Sequence, residues 1–168
     1  MVTSGLLVRG EEFVLRAMVE RDLAQVVELE SSWAPVPWRR ASFLHELHVP
    51  SSRASILCRK NAPDRVAGYL VRRLVAGEVH VLSLAVQREE RGFGLGGALL
   101  DLVFEEARRQ DVGFITLEVD TANAIARSLY GSRGFIESRR RKNYYGARRD
   151  AIVLDWRADA AACQVAHA

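Results

Sequence analysis

The segment Arg91–Gly97 holds four glycines and directly follows an apolar run, Leu82-Ser83-Leu84-Ala85-Val86. Glycine permits positive φ angles and lets a ligand approach the backbone closely. The free N–H groups that open a helix attract phosphate, and helical spacing begins at Leu95. The segment therefore predicts a pyrophosphate-binding turn. A turn that only lets a helix pack close to a strand is an equal alternative on this evidence.

Two ligand-binding patterns fit the same glycines. Gly92, Gly94 and Gly97 satisfy the dinucleotide pattern G-x-G-x-x-G, and Glu118 lies about 20 residues further on, as that pattern requires. A doubly wound βαβ unit needs about 30 residues, however, and too little chain follows Glu118 to complete one. The second pattern is R-x-x-G-x-G, which starts at Arg91. The P-loop of nucleoside triphosphatases is excluded because the sequence contains no Gly-Lys-Ser/Thr.

The elements that position this loop follow from the periodicity of apolar residues. Tight turns at Asn61–Asp64 and Ala76-Gly77 join three strands and force antiparallel pairing. After the loop, apolar residues from Leu95 to Val103 share one helix face. The predicted order is β-α-α-β-β-β-α-β-α-β-β, an α/β (α+β) mixed sheet with helices on its faces. Strands are expected at 13–17, 52–59, 66–75, 78–86, 114–119, 135–144 and 151–156, and helices at 22–30, 39–48, from 95, and at 123–132.

The composition is that of an ordinary globular chain. Of the 168 residues, 49% are hydrophobic and 27% are charged, and no apolar run approaches the roughly 20 residues of a membrane span. The length predicts one domain, 1–168, with a core at 13–156 and a flexible tail at 157–168. No signal peptide is evident. Cys58 and Cys163 indicate neither a disulfide framework nor a metal cluster, so a reducing cytoplasm is expected.

The charge balance is mild, since 24 Lys and Arg against 21 Asp and Glu give a net charge of +3. This balance does not by itself indicate a nucleic-acid partner. Arginines cluster at Arg139, Arg140 and Arg141. They can form a solvated strand or loop face, or an anion-facing patch that would suit a polyphosphate cofactor, and both interpretations stay open.

Further motifs around the glycine loop make the chain resemble the GNAT acetyltransferases, and among them the RimI type, the ribosomal-protein alanine N-acetyltransferases. The motifs are Pro37-Trp38, Leu84-Ala85-Val86 with the loop, Leu117-Glu118-Val119, Asn123 with Ala126-x-x-Leu129-Tyr130, Gly134-Phe135, Asn143-Tyr144-Tyr145 and Asp150-Ala151. The resemblance covers roughly residues 13–156. The resemblance implies the GNAT acyl-CoA N-acyltransferase fold and the transfer of an acetyl group from acetyl-CoA to an amine, the N-terminal α-amino group of a ribosomal or other protein being the expected acceptor.

The resemblance also implies roles for individual residues. Glu118 stands at the position of the general base, Tyr130 at that of the general acid, and Asn123 at a cofactor contact. Tyr130 is counted among the cofactor contacts too. The remaining acetyl-CoA contacts are the backbone of Leu84, Ala85 and Val86 for the pantetheine arm, and Arg91, Gly92, Phe93, Gly94, Leu95, Gly96 and Gly97 for the pyrophosphate. Trp33, Trp38, Tyr144 and Tyr145 are expected to line a peptide groove, with ordinary packing as an even alternative. No metal is expected.

One position departs from the RimI-type pattern. That type usually reads L-E-V-R, whereas Asp120 occupies the arginine position here. Because this reverses a charge beside the candidate base, it could change which substrate is accepted.

The proposed chemistry can be checked against ordinary pKa values. A protein α-amino group, with a pKa of about 7.7–8.0, is roughly a tenth to a fifth neutral at pH 7, whereas a lysine near 10.4 is under about a thousandth neutral. An α-amino acceptor therefore needs only modest help from a base. Glu118 would supply it if burial raised its pKa, and its strand neighbours Phe114 and Thr116 predict a partly apolar setting. A solvated glutamate at a strand end is the alternative.

The leaving thiolate sets the role of the tyrosine. A thiol has a pKa of about 8.5 and an unperturbed tyrosine one near 10, so full proton transfer from Tyr130 is uphill by roughly 2 kcal/mol. A hydrogen bond that strengthens as the thiolate forms is therefore the expected role. Packing of Tyr130 against the sheet is the alternative reading.

Other chemistries find less support. His45 and His48 lie one helical turn apart without a third ligand nearby, which favours a surface pair over zinc. No G-x-S-x-G elbow occurs for a hydrolase. Two further functions stay open beside protein N-terminal acetylation: acetylation of a small-molecule amine or lysine side chain on the same fold, and a non-catalytic acyl-CoA-binding module. Direct contact with nucleic acid or membrane is not expected.

Overall fold

The computed structural model describes residues 4–8 and 10–158, with the side chain of Ser4 left aside. These residues form two compact units. The first unit comprises the residues up to Arg73 together with Ser83–Asp101, and the second comprises Leu74–Leu82 together with the residues from Leu102 onward.

Antiparallel strands form the frame of the first unit. Phe13 pairs with Arg59 and Tyr69 pairs with Ile56. Phe13, Ile56 and Tyr69 are fully buried, so the register places large apolar side chains in the core. In chain order the strands are β1 (Ser4–Val8), β2 (Glu11–Ala17), β3 (Ser52–Arg59) and β4 (Ala62–Val75), each paired with the next, and β4 ends in the second unit.

Two helices of the first unit connect β2 to β3. Helix α1 (Leu23–Ser31) buries Leu23, Val26 and Leu29, which share one face because they are spaced three residues apart. Helix α2 (Arg40–His48) buries Phe43, whose ring meets that of Tyr69 edge-on with the centroids 5.6 Å apart. Burial of one such side chain stabilises the fold by about 1.5–3 kcal/mol, so these contacts hold both helices on the sheet.

Strand β5 (Glu78–Val86) begins in the second unit and ends in the first. Its residues alternate between buried and half-buried, as a strand with two different faces requires. Helix α3 (Leu95–Arg109) begins in the first unit and ends in the second. It buries Leu95, Leu99 and Val103 at helical spacing.

The second unit contains both parallel and antiparallel pairing. Its elements are β6 (Phe114–Asp120), α4 (Ala124–Gly131), β7 (Ile136–Arg141) and β8 (Ala151–Arg157). Val79–Val81 of β5 run parallel to Ile115–Leu117 of β6, and the remaining strands pair antiparallel in the order β6-β8-β7. The edge strand β7 is exposed along its whole length.

The predicted element order and the α/β mixed sheet are confirmed, with three differences. Strand β1 is absent from the prediction, because its five residues show no alternation of polar and apolar side chains. Strand β4 begins at Ala62, since Ala62 already pairs with Arg59 within the predicted turn. Strand β7 ends at Arg141 because Asn143 adopts a left-handed backbone, with φ of 55°.

Two further expectations concern the chain ends and the membrane. The predicted tail, 157–168, begins too early, because Arg157 is the last residue of β8 and pairs with Phe114. Residues 159–168 of that tail lie outside the described residues. Within the described part of the chain, no helix is both long and apolar enough to cross a membrane.

Candidate active site

The glycine loop of the first unit has a backbone that requires glycine. Gly92 and Gly94 have φ angles of 84° and 82°, a region that side-chain-bearing residues rarely adopt. A Cβ at Gly92 would meet no protein atom within 4 Å, and one at Gly94 would approach a side-chain carbon of Val8 at 3.9 Å. Glycine is therefore required by the φ angles of the loop and not by close packing against other protein atoms. The space beside the two glycines can accommodate a ligand.

Helix α3 begins directly after this loop. Its first intrahelical bond runs from the Ala98 amide to the Gly94 carbonyl at 3.0 Å. Amides in the first turn of a helix have no intrahelical acceptor and lie at the positive end of the helix dipole. Leu95 is only 1% exposed and anchors this end of the helix. The loop and helix start thus fit the phosphates of a coenzyme A thioester.

Arg91 and Phe93 tie the loop to its surroundings in the first unit. The Nε of Arg91 donates to the Val86 carbonyl at 3.3 Å, closing the loop onto the end of β5. The Phe93 ring lies 5.6 Å from the guanidinium carbon of Arg59. Arg59 itself is held by Glu90 at 2.8 Å. Because these contacts stabilise the loop conformation, the side chains of Arg91 and Phe93 have structural roles.

The end of β5 shows which of its side chains serve packing. A Cβ added at Gly68 of β4 would come within 2.9 Å of the Ala85 carbonyl, so the absence of a side chain there allows the two strands their close approach. Ser83 and Ala85 are buried, whereas Leu84 and Val86 are half-buried. Contacts of Leu84, Ala85 and Val86 with a pantetheine arm stay a prediction.

The candidate base Glu118 lies on β6 in the second unit. Its Oε1 is 2.9 Å from Nη1 of Arg141, and the Glu118 side chain is 28% exposed. The setting is therefore an ion pair at a partly open surface rather than the partly apolar environment that Phe114 and Thr116 predict. Thr116 instead donates its hydroxyl to Asp155 at 2.7 Å.

Both tyrosines of the Asn143-Tyr144-Tyr145 motif gather at this carboxylate. The pKa of Tyr144 is raised, and its interaction with the Glu118 carboxylate is the main cause. Burial raises the pKa of Tyr145, and the charges of Glu118 and Asp120 raise it further. The two rings meet edge-on with the centroids 5.0 Å apart. The structure thus brings a carboxylate, an arginine and two phenols together.

Tyr130, the candidate acid, lies at the end of α4 in the second unit. Its side chain is 7% exposed and packs edge-on against the Phe135 ring at 5.7 Å. Burial raises the pKa of Tyr130 to about 12. The phenol therefore stays protonated throughout the physiological pH range and can donate a hydrogen bond.

Asn123 has a structural role in the second unit. Its side-chain oxygen accepts a hydrogen bond from the Ala126 amide at 3.0 Å, which caps the start of α4. A cap of this kind contributes about 1 kcal/mol. The predicted cofactor contact would then have to use the Asn123 side-chain NH₂ group, and it stays a prediction.

Trp33 and Trp38 flank the proline-containing loop of the first unit. The Trp38 amide donates to Oε1 of Glu30 at 3.1 Å, and the Trp38 ring lies 5.2 Å from that of Phe43. The indole nitrogen of Trp33 is buried without a hydrogen-bond partner among the described residues. Their contact with a peptide stays a prediction.

Glu30 centres a buried polar network that the sequence does not reveal. It is only 2% exposed. Tyr69 and Ser83 both donate hydroxyls to its Oε2, while Oε1 receives the Trp38 amide. The network fixes the Trp38 backbone relative to β4 and β5. The sequence feature that could have indicated the network is the position of Glu30 on the apolar face of α1, beside Val26.

The ion pairs of two further residues of the site are not predicted from the sequence. Arg141 is assigned only to a solvated face or an anion patch, whereas the structure pairs it with Glu118. Arg149 pairs with Asp120 at 2.7 Å. The signal for both is the pairing of β6 with β8 and of β8 with β7, which a sequence does not display.

The other chemistries considered from the sequence depended on His45, His48 and the two cysteines. His45 and His48 are exposed on α2. Among residues 4–8 and 10–158, no three His, Cys, Asp or Glu side chains are grouped so that they could hold a metal ion. Burial raises the pKa of the Cys58 thiol, which disfavours the reactive thiolate. Cys163 lies outside the described residues.

Known proteins match both the sequence and the fold. A model of the acetyltransferase (GNAT) family matches residues 23–135. The ribosomal protein bS18-alanine N-acetyltransferase of Escherichia coli K12 is 29% identical over 136 residues, 79% of this chain and 89% of that one. A Bacillus subtilis protein provisionally given the same activity is 30% identical over 142 residues, 84% of this chain and 93% of its own length.

Solved structures show the same fold. The crystal structure of the ribosomal-protein-S18-alanine N-acetyltransferase from Escherichia coli has a TM-score of 0.77 and 27% identity, covering 86% of this chain and 93% of that one. Arabidopsis thaliana NAA60 in complex with a bisubstrate analogue has a TM-score of 0.79 at 18% identity, covering 86% and 97%. The family match over more than half of the chain shows that this protein belongs to the GNAT family and is an acetyl-CoA-dependent N-acetyltransferase.

Proposed function

We propose that this N-acetyltransferase acts on the N-terminal α-amino group of a protein, such as a ribosomal protein. The observation that carries the proposal is the group of Tyr144, Tyr145 and Arg141 around Glu118. An open carboxylate flanked by two phenols offers a peptide terminus one proton acceptor and two aromatic surfaces. The bS18-alanine activity of the Escherichia coli relative supports the same acceptor class.

The first unit would hold the cofactor. The amides from Gly92 to Gly97 suit the pyrophosphate, and the backbone of Leu84, Ala85 and Val86 would receive the pantetheine arm. Asn123 and Tyr130 stay predicted contacts of acetyl-CoA. Bound acetyl-CoA supplies a thioester, whose C–S bond breaks as the amine nitrogen bonds to the acetyl carbon.

Glu118 would take the proton that the amine must lose. A peptide ammonium approaching the carboxylate competes with Arg141 for Oε1, which is 2.9 Å from the guanidinium. Because Arg141 is 42% exposed on the edge strand, water can solvate it when it is displaced. Only modest deprotonation is needed, since an α-amino group has a pKa of about 7.7–8.0.

Tyr130 would stabilise the departing thiolate by a hydrogen bond rather than by giving up its proton. Its pKa of about 12 exceeds that of a thiol, about 8.5, by roughly 3.5 units. Full transfer would be uphill by about 5 kcal/mol at 1.36 kcal/mol per unit. Donation without transfer avoids that cost and still favours the developing negative charge.

The acceptor class is tested by mass spectrometry after incubation with acetyl-CoA and three sets of amines. The sets are peptides with free N-termini, the same peptides blocked at the N-terminus but carrying lysine, and small amines such as polyamines. The proposal predicts fast acetylation of free-ended peptides alone. Equal rates for blocked lysine peptides, or a preference for small amines, would overturn it. Binding of acetyl-CoA without turnover of any amine would indicate a non-catalytic module.

A further inference from the structure

Asp120 is a buried carboxylate two residues beyond Glu118 on β6. Only 5% of the residue is exposed. Its Oδ2 receives both Nε and Nη2 of Arg149, at 2.9 and 2.7 Å, and its Oδ1 receives the Ala122 amide at 2.9 Å. A buried charge of this kind is tolerated because it is both paired and hydrogen-bonded.

Arg149 belongs to the β7–β8 turn, residues 142–150, which also carries Tyr144 and Tyr145. Inside the turn, the Tyr145 amide donates to the Arg149 carbonyl at 3.0 Å. The Arg148 amide donates to the side chain of Asn143 at 2.8 Å. These local bonds define the shape of the turn but do not attach it to β6.

The backbone of this turn needs support from outside. Asn143 and Arg148 both have left-handed φ angles, 55° and 62°, a conformation that is strained for a residue such as Arg148 and better tolerated by Asn143. Contacts at the end of β6 attach the turn. They include the Arg149–Asp120 pair and the bonds from the Thr121 amide and hydroxyl to the Asp150 carbonyl, at 3.1 and 3.3 Å. Among these, Arg149 contributes a charged side chain, and its carbonyl also accepts the Tyr145 amide.

We propose that Arg149, through its ion pair with Asp120, is a positioning residue that holds Tyr144 and Tyr145 at Glu118 and thereby sets the affinity for the acceptor. The inference rests on the proposed acceptor site. It also gives Asp120 a function: where the RimI-type pattern has an arginine on the strand, this chain places the acid on the strand and the guanidinium on the turn.

The test compares Arg149→Gln with Arg148→Gln. The control removes the same charge from the neighbouring position, where the side chain has no ion pair among those found for the described residues. Hydrogen exchange of the Tyr145 amide, which donates to the carbonyl of residue 149, reports the order of the turn. We expect faster exchange and a KM for a free-ended peptide raised roughly 10-fold in Arg149→Gln, with kcat and acetyl-CoA affinity changed less than about 3-fold.

Two additional variants separate positioning from general damage. Arg149→Lys keeps the charge and should recover part of the peptide affinity. Asp120→Asn should raise KM in the same direction, and its combination with Arg149→Gln should cost less than the two single effects multiplied, because the partners are lost together. Melting temperatures identify any variant that fails to fold.

The outcomes distinguish this inference from the proposed function. Unchanged exchange in Arg149→Gln overturns the positioning role, whatever the kinetics, and so does faster exchange with an unchanged KM. If the wild-type protein acetylates no peptide terminus, the proposed function and the acceptor part of the inference fail. Faster exchange in Arg149→Gln but not in Arg148→Gln would then still show that the pair orders the turn.

Discussion

The cofactor loop can be tested with two glycines that share one backbone conformation. Gly92 and Gly10 both have φ of 84°, and a Cβ at either would meet no protein atom within 4 Å. An alanine in this left-handed region costs about 1–2 kcal/mol. Gly92→Ala and Gly10→Ala should therefore destabilise the protein equally, lowering Tm by roughly 2–8 °C for a chain of this size.

Affinity for acetyl-CoA should separate the two variants. Only Gly92 lies in the loop proposed to receive the pyrophosphate, where a new methyl group would occupy the face left open for the phosphates. We expect Kd for acetyl-CoA to rise at least about 10-fold in Gly92→Ala, which equals about 1.4 kcal/mol, and to stay near the wild-type value in Gly10→Ala. Titration calorimetry with thermal melts measures both quantities. Equal affinities in the two variants would refute the assignment of the loop.

Two further substitutions test groups that the structure places in the protein interior. Tyr130→Phe should lower kcat by about 10²–10³-fold equally from pH 6 to 10, because a phenol with a pKa of about 12 stays protonated over that range; a loss confined to one end of the pH range would contradict this role. Glu30→Gln should lower the free energy of unfolding by about 1.5–3 kcal/mol in chemical denaturation. The reason is that the NH₂ group of glutamine would face either the Tyr69 hydroxyl or the Trp38 amide, each of which is itself a donor. Tyr69→Phe, which removes one donor and leaves the carboxylate, should cost less, and an equal or larger loss would argue against the network.

Local sequence patterns suffice for most of the fold. The helix that buries Leu95, Leu99 and Val103 is readable from its spacing alone. Strand β1 cannot be predicted in this way, because its five residues form a strand by pairing with β2 and show no strand pattern of their own. The end of β7 depends on the left-handed conformation of Asn143, which a propensity for strand does not indicate.

The sequence predicts the strand that carries Glu118, but it does not predict the charged groups around that carboxylate. The position of Glu118 on a strand is correct, and the structure places Tyr144 and Tyr145 beside it. Its partner Arg141 is two strands away in the pairing order of the second unit, so their 2.9 Å contact depends on register that the sequence does not encode locally. The same holds for Asp120 and Arg149, which lie 29 residues apart in the chain.

The central claim, that Glu118 deprotonates an α-amino group, is tested most directly by the pH–rate profile of Glu118→Gln on one free-ended peptide. With an amine pKa of about 7.7–8.0, the neutral fraction rises from about 1–2% at pH 6 to about 50–67% at pH 8. The variant should therefore be impaired most at pH 6 and should gain roughly 30–50-fold in rate up to pH 8, approaching the wild-type enzyme. Parallel profiles without this recovery would contradict a role for Glu118 as the base.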